Sequence, residues 1–162
     1  MAQSIREAVR AATGLTCSIG VAPNKLLAKM ASELDKPDGL TLLRMEDVPR
    51  RIWPLPPRKI NGIGPKSSSR LEALGIQTIG ELAAADPAWL IEQFGRAHGA
   101  WMHDAAHGRD ERIVLTELEP KSISRETLTS SCFAILATSR ILYSAKYSGD
   151  SPVIAIFCLC WR

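Results

Sequence analysis

The sequence predicts an α+β fold, predominantly α, in which a partial α/β layer leads into an all-helical unit. Three observations predict it. Residues 1–43 alternate helical and strand periodicity, whereas residues 44–112 carry short helices separated by glycine and proline with no strand signal. The chain has 162 residues and 46% hydrophobic content, enough for one ordinary domain or two small ones.

Taken in order, Ser4 reads as the N-cap of a first helix, with Glu7 three residues later and Ile5, Ala8, Val9 and Ala12 at helical spacing. Gly14 ends it. Leu15 to Val21 alternates Leu15, Cys17, Ile19 and Val21 with smaller or polar residues, the period of a half-buried strand. After Pro23 a second helix lines Leu26, Leu27, Met30, Ala31 and Leu34 along one face. The Lys36-Pro37-Asp38-Gly39 turn closes it, and Leu40 to Leu43 returns as a strand. Two strands do not make an independently stable sheet, so this layer is expected to lack partner strands that precede residue 1.

From Arg44 to Arg112 the text is helical. Pro54, Pro56 and Pro57 mark the entrance, Thr78 and Glu81 form a capping box, and Asp86-Pro87 is an N-cap followed by proline in the first turn. Gly75, Gly95 and Gly108 sit where helices end. A bundle of about five helices is expected, with Trp53, Leu71, Leu74, Ile79, Leu82, Trp89, Leu90, Phe94 and Trp101 in its core. Residues 113–127 read as a polar linker. The last 35 residues contain only Arg140, Lys146, Asp150 and Arg162 as charged residues and show no sustained periodicity, so 128–162 reads as an unrelated, poorly specified tail.

Charge is nearly balanced, 20 Lys+Arg against 17 Asp+Glu for a net +3, so any nucleic-acid footprint must be local. Four cysteines without paired C-x-x-C spacing argue against a zinc site and a secreted disulfide framework, and read as thiols of a reducing cytoplasm. No leader-like or membrane-length apolar run is present, so the expected location is cytoplasmic. His98, His103 and His107 lack acidic or thiol partners at ligand spacing and read as solvated surface residues.

The chemistry concentrates at Ile60-Asn61-Gly62-Ile63-Gly64-Pro65-Lys66. An apolar-x-Gly-apolar-Gly hairpin between two short helices lets the backbone approach a phosphate, since glycine has no Cβ in the way. Amides of Gly62, Gly64 and Lys66 at the start of the next helix can donate to phosphate oxygens with help from the helix dipole. Arg58, Lys59, Lys66 and Arg70 surround the point with positive charge, and Ile63, between the two glycines, is counted with them as a DNA-binding residue. The pattern resembles a helix-hairpin-helix motif, which grips DNA without reading sequence. Ser67, Ser68 and Ser69 are either further phosphate donors or helix surface. A second glycine corner at Phe94-Gly95-Arg96 offers another phosphate contact through Arg96 or is simply a turn between helices.

Several separated stretches, in order, carry a family resemblance. TCSIGVAPNKLLAKMASELDKPDG (Thr16 to Gly39) resembles the end of the palm of Y-family, translesion DNA polymerases of the DNA polymerase IV type. KINGIG (Lys59 to Gly64) is similar to their thumb hairpin, FGRAHGAWMHDAAHGRDER to the end of the thumb, and EPKSISRET to the start of the linker into the little finger. The resemblance implies a palm remnant at 1–43, a thumb at 44–112, a linker at 113–127, and Lys36 as the palm lysine that contacts the triphosphate of an incoming dNTP. It implies primer-template DNA as partner and magnesium as the cofactor of the intact enzyme. The carboxylates that hold magnesium have no match here: Asp35 and Asp38 do not occupy the family's metal positions. No catalytic or metal ligand is therefore assigned, and backbone binding without nucleotidyl transfer is expected of these residues alone. No clamp-binding peptide is recognised at the C-terminus. Two other readings stay open, a stand-alone helix-hairpin-helix module of a DNA repair protein and the poorly folding product of a disrupted gene.

Overall fold

The computed structural model describes residues 1–113 and a strand at 155–161. Helix α1 (Ala2–Thr13) is followed by strand β1 (Thr16–Ala22), helix α2 (Lys25–Leu34) and strand β2 (Leu40–Leu42). Short 3-10 and π turns at Met45–Asp47, Val48–Ile52 and Pro57–Lys59 lead into α3 (Pro65–Ala73), α4 (Ile79–Ala84), α5 (Pro87–Phe94) and α6 (Arg96–Ala106). Strand β3 (Ala155–Trp161) completes a sheet of order β2-β1-β3. The fold is α+β and predominantly α, as the sequence indicates.

β1 pairs parallel with β2, Ile19 opposite Leu40, and antiparallel with β3, Thr16 opposite Trp161 through Ala22 opposite Ala155. The reading of the tail as poorly specified needs correction at these residues. Ala155–Trp161 is a continuous apolar run, the pattern of a strand covered on both sides, which periodicity alone does not distinguish from an unpatterned segment. Residues 114–154, including nearly all of the linker, lie outside the described residues.

The alternation of β1 sorts its side chains onto two helices. Cys17 and Ile19, with Val21, pack under Ala2, Ile5 and Val9 of α1. The opposite face meets α2 at backbone distance, because a Cβ on Gly20 would lie 2.2 Å from the Ala28 carbonyl oxygen and 2.4 Å from the Ser32 nitrogen. A second, larger core begins with Ala22, Leu26, Leu27, Met30 and Leu43 and continues without a break through Val48, Ile52, Ile60, Leu71, Ile79, Leu82, Leu90 and Met102. Thus α2 belongs to both the sheet and the helical unit.

Most terminal signals act as their residue types suggest. Thr78 Oγ1 accepts from the Glu81 amide at 3.2 Å, and Glu81 Oε2 accepts from the Thr78 amide at 3.0 Å. The Gln77 amide, and then the Thr78 amide, hold the Glu81 carboxyl below the usual carboxylate range. Asp86 caps α5 ahead of Pro87. Gly14, Gly75, Gly95 and Gly108 all have positive φ. Three expectations fail. Helix α1 starts at Ala2 with Met1 as N-cap and no side-chain cap, so Ser4 lies inside the first turn rather than before it. Leu74 is the C-cap of α3 and is exposed, because the helix ends before its apolar period returns to the core. Cys17 is disulfide-bonded, not a free thiol; its register partner across the antiparallel pair is Cys160. Among the described residues no helix is long and apolar enough to cross a membrane.

Candidate nucleic-acid interface

The hairpin joins the Pro57–Lys59 turn to α3. Ile60 and Ile63 are its anchors, 0% and 5% exposed, and the Ile63 amide donates to the Ile60 carbonyl at 3.0 Å. Ile63 is therefore a buried staple whose amide is already used. Gly64 is the N-cap of α3, in extended backbone, with no side-chain cap, and Pro65 follows in the first turn. The amides of Gly64, Lys66 and Ser67 precede the first intrahelical donor, the Ser68 amide that bonds to the Gly64 carbonyl at 3.0 Å, and lie at the positive end of the helix dipole.

The two glycines do different work. Gly62 has φ +119°, a conformation side chains rarely adopt, and a Cβ there would sit 2.5 Å from Cη2 of Trp101. Its missing side chain makes room for an aromatic ring of α6. Gly64 has ordinary backbone, and a Cβ would meet nothing within 4 Å. Its surface is open to a ligand.

Arg58, Lys59 and Lys66 are exposed around this point. Arg70 is exposed too, but its guanidinium lies 5.2 Å over the Phe94 ring and donates to Gln93 Oε1 at 3.4 Å, so it is turned toward α5. Arg96 is the first residue of α6, beyond Gly95, and is exposed. Ser68 is buried and gives its hydroxyl to Glu72 Oε1 at 3.2 Å, which removes it from the phosphate donors; Ser69 remains exposed.

Trp101 was legible only as a core residue; its ring supports the hairpin from below. His98 stacks on it at 5.4 Å, meets Phe94 edge-on and lies 3.5 Å from Ser67 Oγ. His103 and His107 stand 4.5 Å apart, and His107 Nδ1 is 2.9 Å from the His103 carbonyl oxygen. All three rings are half-buried against their neighbours rather than solvated. Burial, and then the nearby His107 charge, lower the His103 pKa.

The Lys36 turn is held from several sides. Arg6 Nη1 donates to the Asp38 carbonyl at 2.8 Å, Arg10 pairs with the Asp38 carboxylate at 3.0 Å, and Asp35 accepts from Thr41 Oγ1 and pairs with Arg51. Lys36 Nζ itself lies 2.8 Å from Glu33 Oε2. Asp35 and Asp38 are thus committed to arginines. Among the described residues no group of three or more His, Cys, Asp or Glu is placed to hold a metal, so these residues do not fit a magnesium site.

Two family descriptions match separate parts of this architecture: the impB/mucB/samB family over residues 1–33, and the IMS family HHH motif over residues 46–76, which contain the hairpin. DNA polymerase IV of Moorella thermoacetica is 48% identical over 110 residues, 68% of this chain and 27% of that protein. DNA polymerase IV of Methanoculleus marisnigri is 46% identical over 127 residues, 78% of this chain and 35% of its own length. The chain belongs to the Y-family of DNA polymerases. Its solved neighbours include DinB from Sulfolobus solfataricus, 30% identical with a TM-score of 0.58, covering 65% of this Y-family chain and 31% of the neighbour. The Y-family chain spans about a third or less of the curated relatives it matches.

Proposed function

We propose that this chain grips the sugar-phosphate backbone of primer-template DNA through the Ile60–Lys66 hairpin, as the thumb of a damage-tolerant DNA polymerase. The observation that carries the reading is Gly64: an open, side-chain-free N-cap at the head of an uncapped helix, flanked by exposed Arg58, Lys59 and Lys66. Backbone amides and a helix dipole aimed at one point bind an anion without regard to base sequence.

In this reading residues 1–43 end a palm whose sheet also takes in the strand at 155–161, 44–112 form the thumb, and 113–127 lead toward a little finger. Lys36, braced by the Asp35 and Asp38 ion pairs, reaches the triphosphate of an incoming dNTP, where an ammonium offsets charge developing on the leaving pyrophosphate. Magnesium, nucleotidyl transfer, a sliding clamp and a cytoplasmic setting belong to the whole polymerase. The match over residues 1–33 weighs against a stand-alone hairpin module, which needs no palm.

The test is anisotropy of a labelled primer-template against salt, with the full chain and with Gly64→Val. Wild type should show a salt slope equivalent to a few phosphates, and Gly64→Val should lose most of the affinity while melting like wild type. Equal binding by both would remove the hairpin from the interface.

A further inference from the structure

Helix α2 presents Lys29 and Glu33 one turn apart, and Lys36 follows its end. Glu33 lies between the two lysines, Oε1 3.3 Å from Lys29 Nζ and Oε2 2.8 Å from Lys36 Nζ. Lys29 and Glu33, with Met30, form one wall of a cleft of about 220 Å³ whose other wall is Arg58, Lys59 and the hairpin through Ile63. The cleft walls therefore carry Lys29, Arg58 and Lys59 against a single carboxylate, and that carboxylate leads on to Lys36.

Burial alone would push the Glu33 carboxyl up, but hydrogen bonds and charge from Lys36 and Lys29 outweigh it and hold the group below its ordinary value. It is ionised throughout the neutral range, so in the free protein it is the anion that the two ammonium groups share. Pairs of this kind, with side chains 21–40% exposed, are weak and exchange readily for a stronger anion. A nucleic-acid strand entering the same cleft brings several phosphates at once and releases its counterions.

We propose that Lys29 is a DNA-phosphate ligand, and that Glu33 is an internal stand-in for the phosphate, occupying the lysines until the strand displaces it. This rests on the backbone-gripping reading above and extends the contact path from the hairpin across α2 toward Lys36. Glu33 then sets a threshold: a lone anion competes poorly with it, whereas a strand already held at Gly64 does so at high local concentration. The charge arrangement thus favours an extended backbone over free phosphate.

The experiment uses the full chain and a fluorescein-labelled primer-template, comparing wild type, Glu33→Gln, Lys29→Gln, their double variant and Glu7→Gln. Glu7 is an exposed carboxylate on α1, across the sheet from the cleft, and controls for total charge. Glu33→Gln should tighten binding about fivefold, with Glu7→Gln changing it less than about twofold. Lys29→Gln should reduce the salt slope by about one phosphate, and in its background the gain from Glu33→Gln should largely disappear. Inorganic tripolyphosphate should compete better against Glu33→Gln than against wild type. The proposal is overturned if Glu33→Gln matches Glu7→Gln, or if its full gain survives Lys29→Gln. Wild-type protein that fails to bind would overturn the backbone-gripping reading first, and this one with it. Both substitutions keep good helix formers on an open helix face, and melting curves within a few degrees of wild type are expected.

Discussion

The carboxylate of Asp110 caps the amide of Leu26 across 84 residues of sequence, Oδ2 accepting at 3.1 Å while Arg112 binds Oδ1 at 2.7 Å. Beside it, Asn24 caps the Leu27 amide through Oδ1 and donates from Nδ2 to the Gly108 carbonyl at 2.7 Å. The start of α2 and the exit from α6 are therefore one clasp. Asp110→Ala should cost about 1–3 kcal/mol by leaving the Leu26 donor and the Arg112 charge without a partner, read as a lowered urea midpoint.

The same residue predicts a pH dependence. Burial pushes the Asp110 carboxyl up, but the Arg112 side chain and amide and the Leu26 amide pull it down further, to a net value below its ordinary one. A lowered folded pKa gives stability that is complete above the unfolded value of about 3.9 and fades as pH falls through the folded value. The gap in stability between wild type and Asp110→Ala should be widest near neutral pH and narrow below about pH 4; a gap independent of pH would show that the charge contributes nothing.

Gly62 and Gly64 should separate under substitution. Gly62→Ala is strained at φ +119° and strikes the Trp101 ring, so a loss of about 2 kcal/mol in stability is expected before any effect on DNA is read. Gly64→Ala should melt within a few degrees of wild type and weaken DNA binding alone. Identical melting of both variants would contradict the packing described.

Lys66 and Arg70 make a further pair. Lys66 stands in the first turn of α3, whereas Arg70 is more than a turn further on and covers Phe94. Lys66→Ala should lower the salt slope of DNA binding by about one, with Arg70→Ala changing it little. The cost of Arg70→Ala should appear instead as lost stability of up to about 1 kcal/mol from the exposed ring contact.

What could be read from the sequence was what is local. The Thr78–Glu81 box, the Asp86-Pro87 start and the positive-φ glycines at helix ends each involve residues within four positions of one another, where short-range geometry decides. The apolar face of α2 was legible for the same reason. Contacts set by distant residues were not: the partner of Gly62 is Trp101, and the partner of Leu26 is Asp110. Asn24 did carry a local signal, an Asn directly before a periodic apolar run, and it serves as the cap that its type favours. Leu74 and Ser4 misled because a periodic pattern does not say on which residue a helix begins or stops. Motif and charge name Arg58, Lys59, Gly64 and Lys66 for the proposed interface, and all four are exposed. The turn of Arg70 toward Phe94 depends on how α3 and α5 cross, which no spacing in α3 records.

Gly20 has a bearing on how such a protein can change over time. Strand and helix touch there through main-chain atoms, and the Ala28 carbonyl lies where a side chain would otherwise be. The separation of β1 from α2 is consequently fixed by atoms that every residue shares. Larger or smaller side chains can drift in and out of the surrounding core without altering the offset between the sheet and the helix that faces the hairpin. Side-chain changes around it leave the hairpin at its distance from Lys36, whereas a side chain at position 20 would push strand and helix apart.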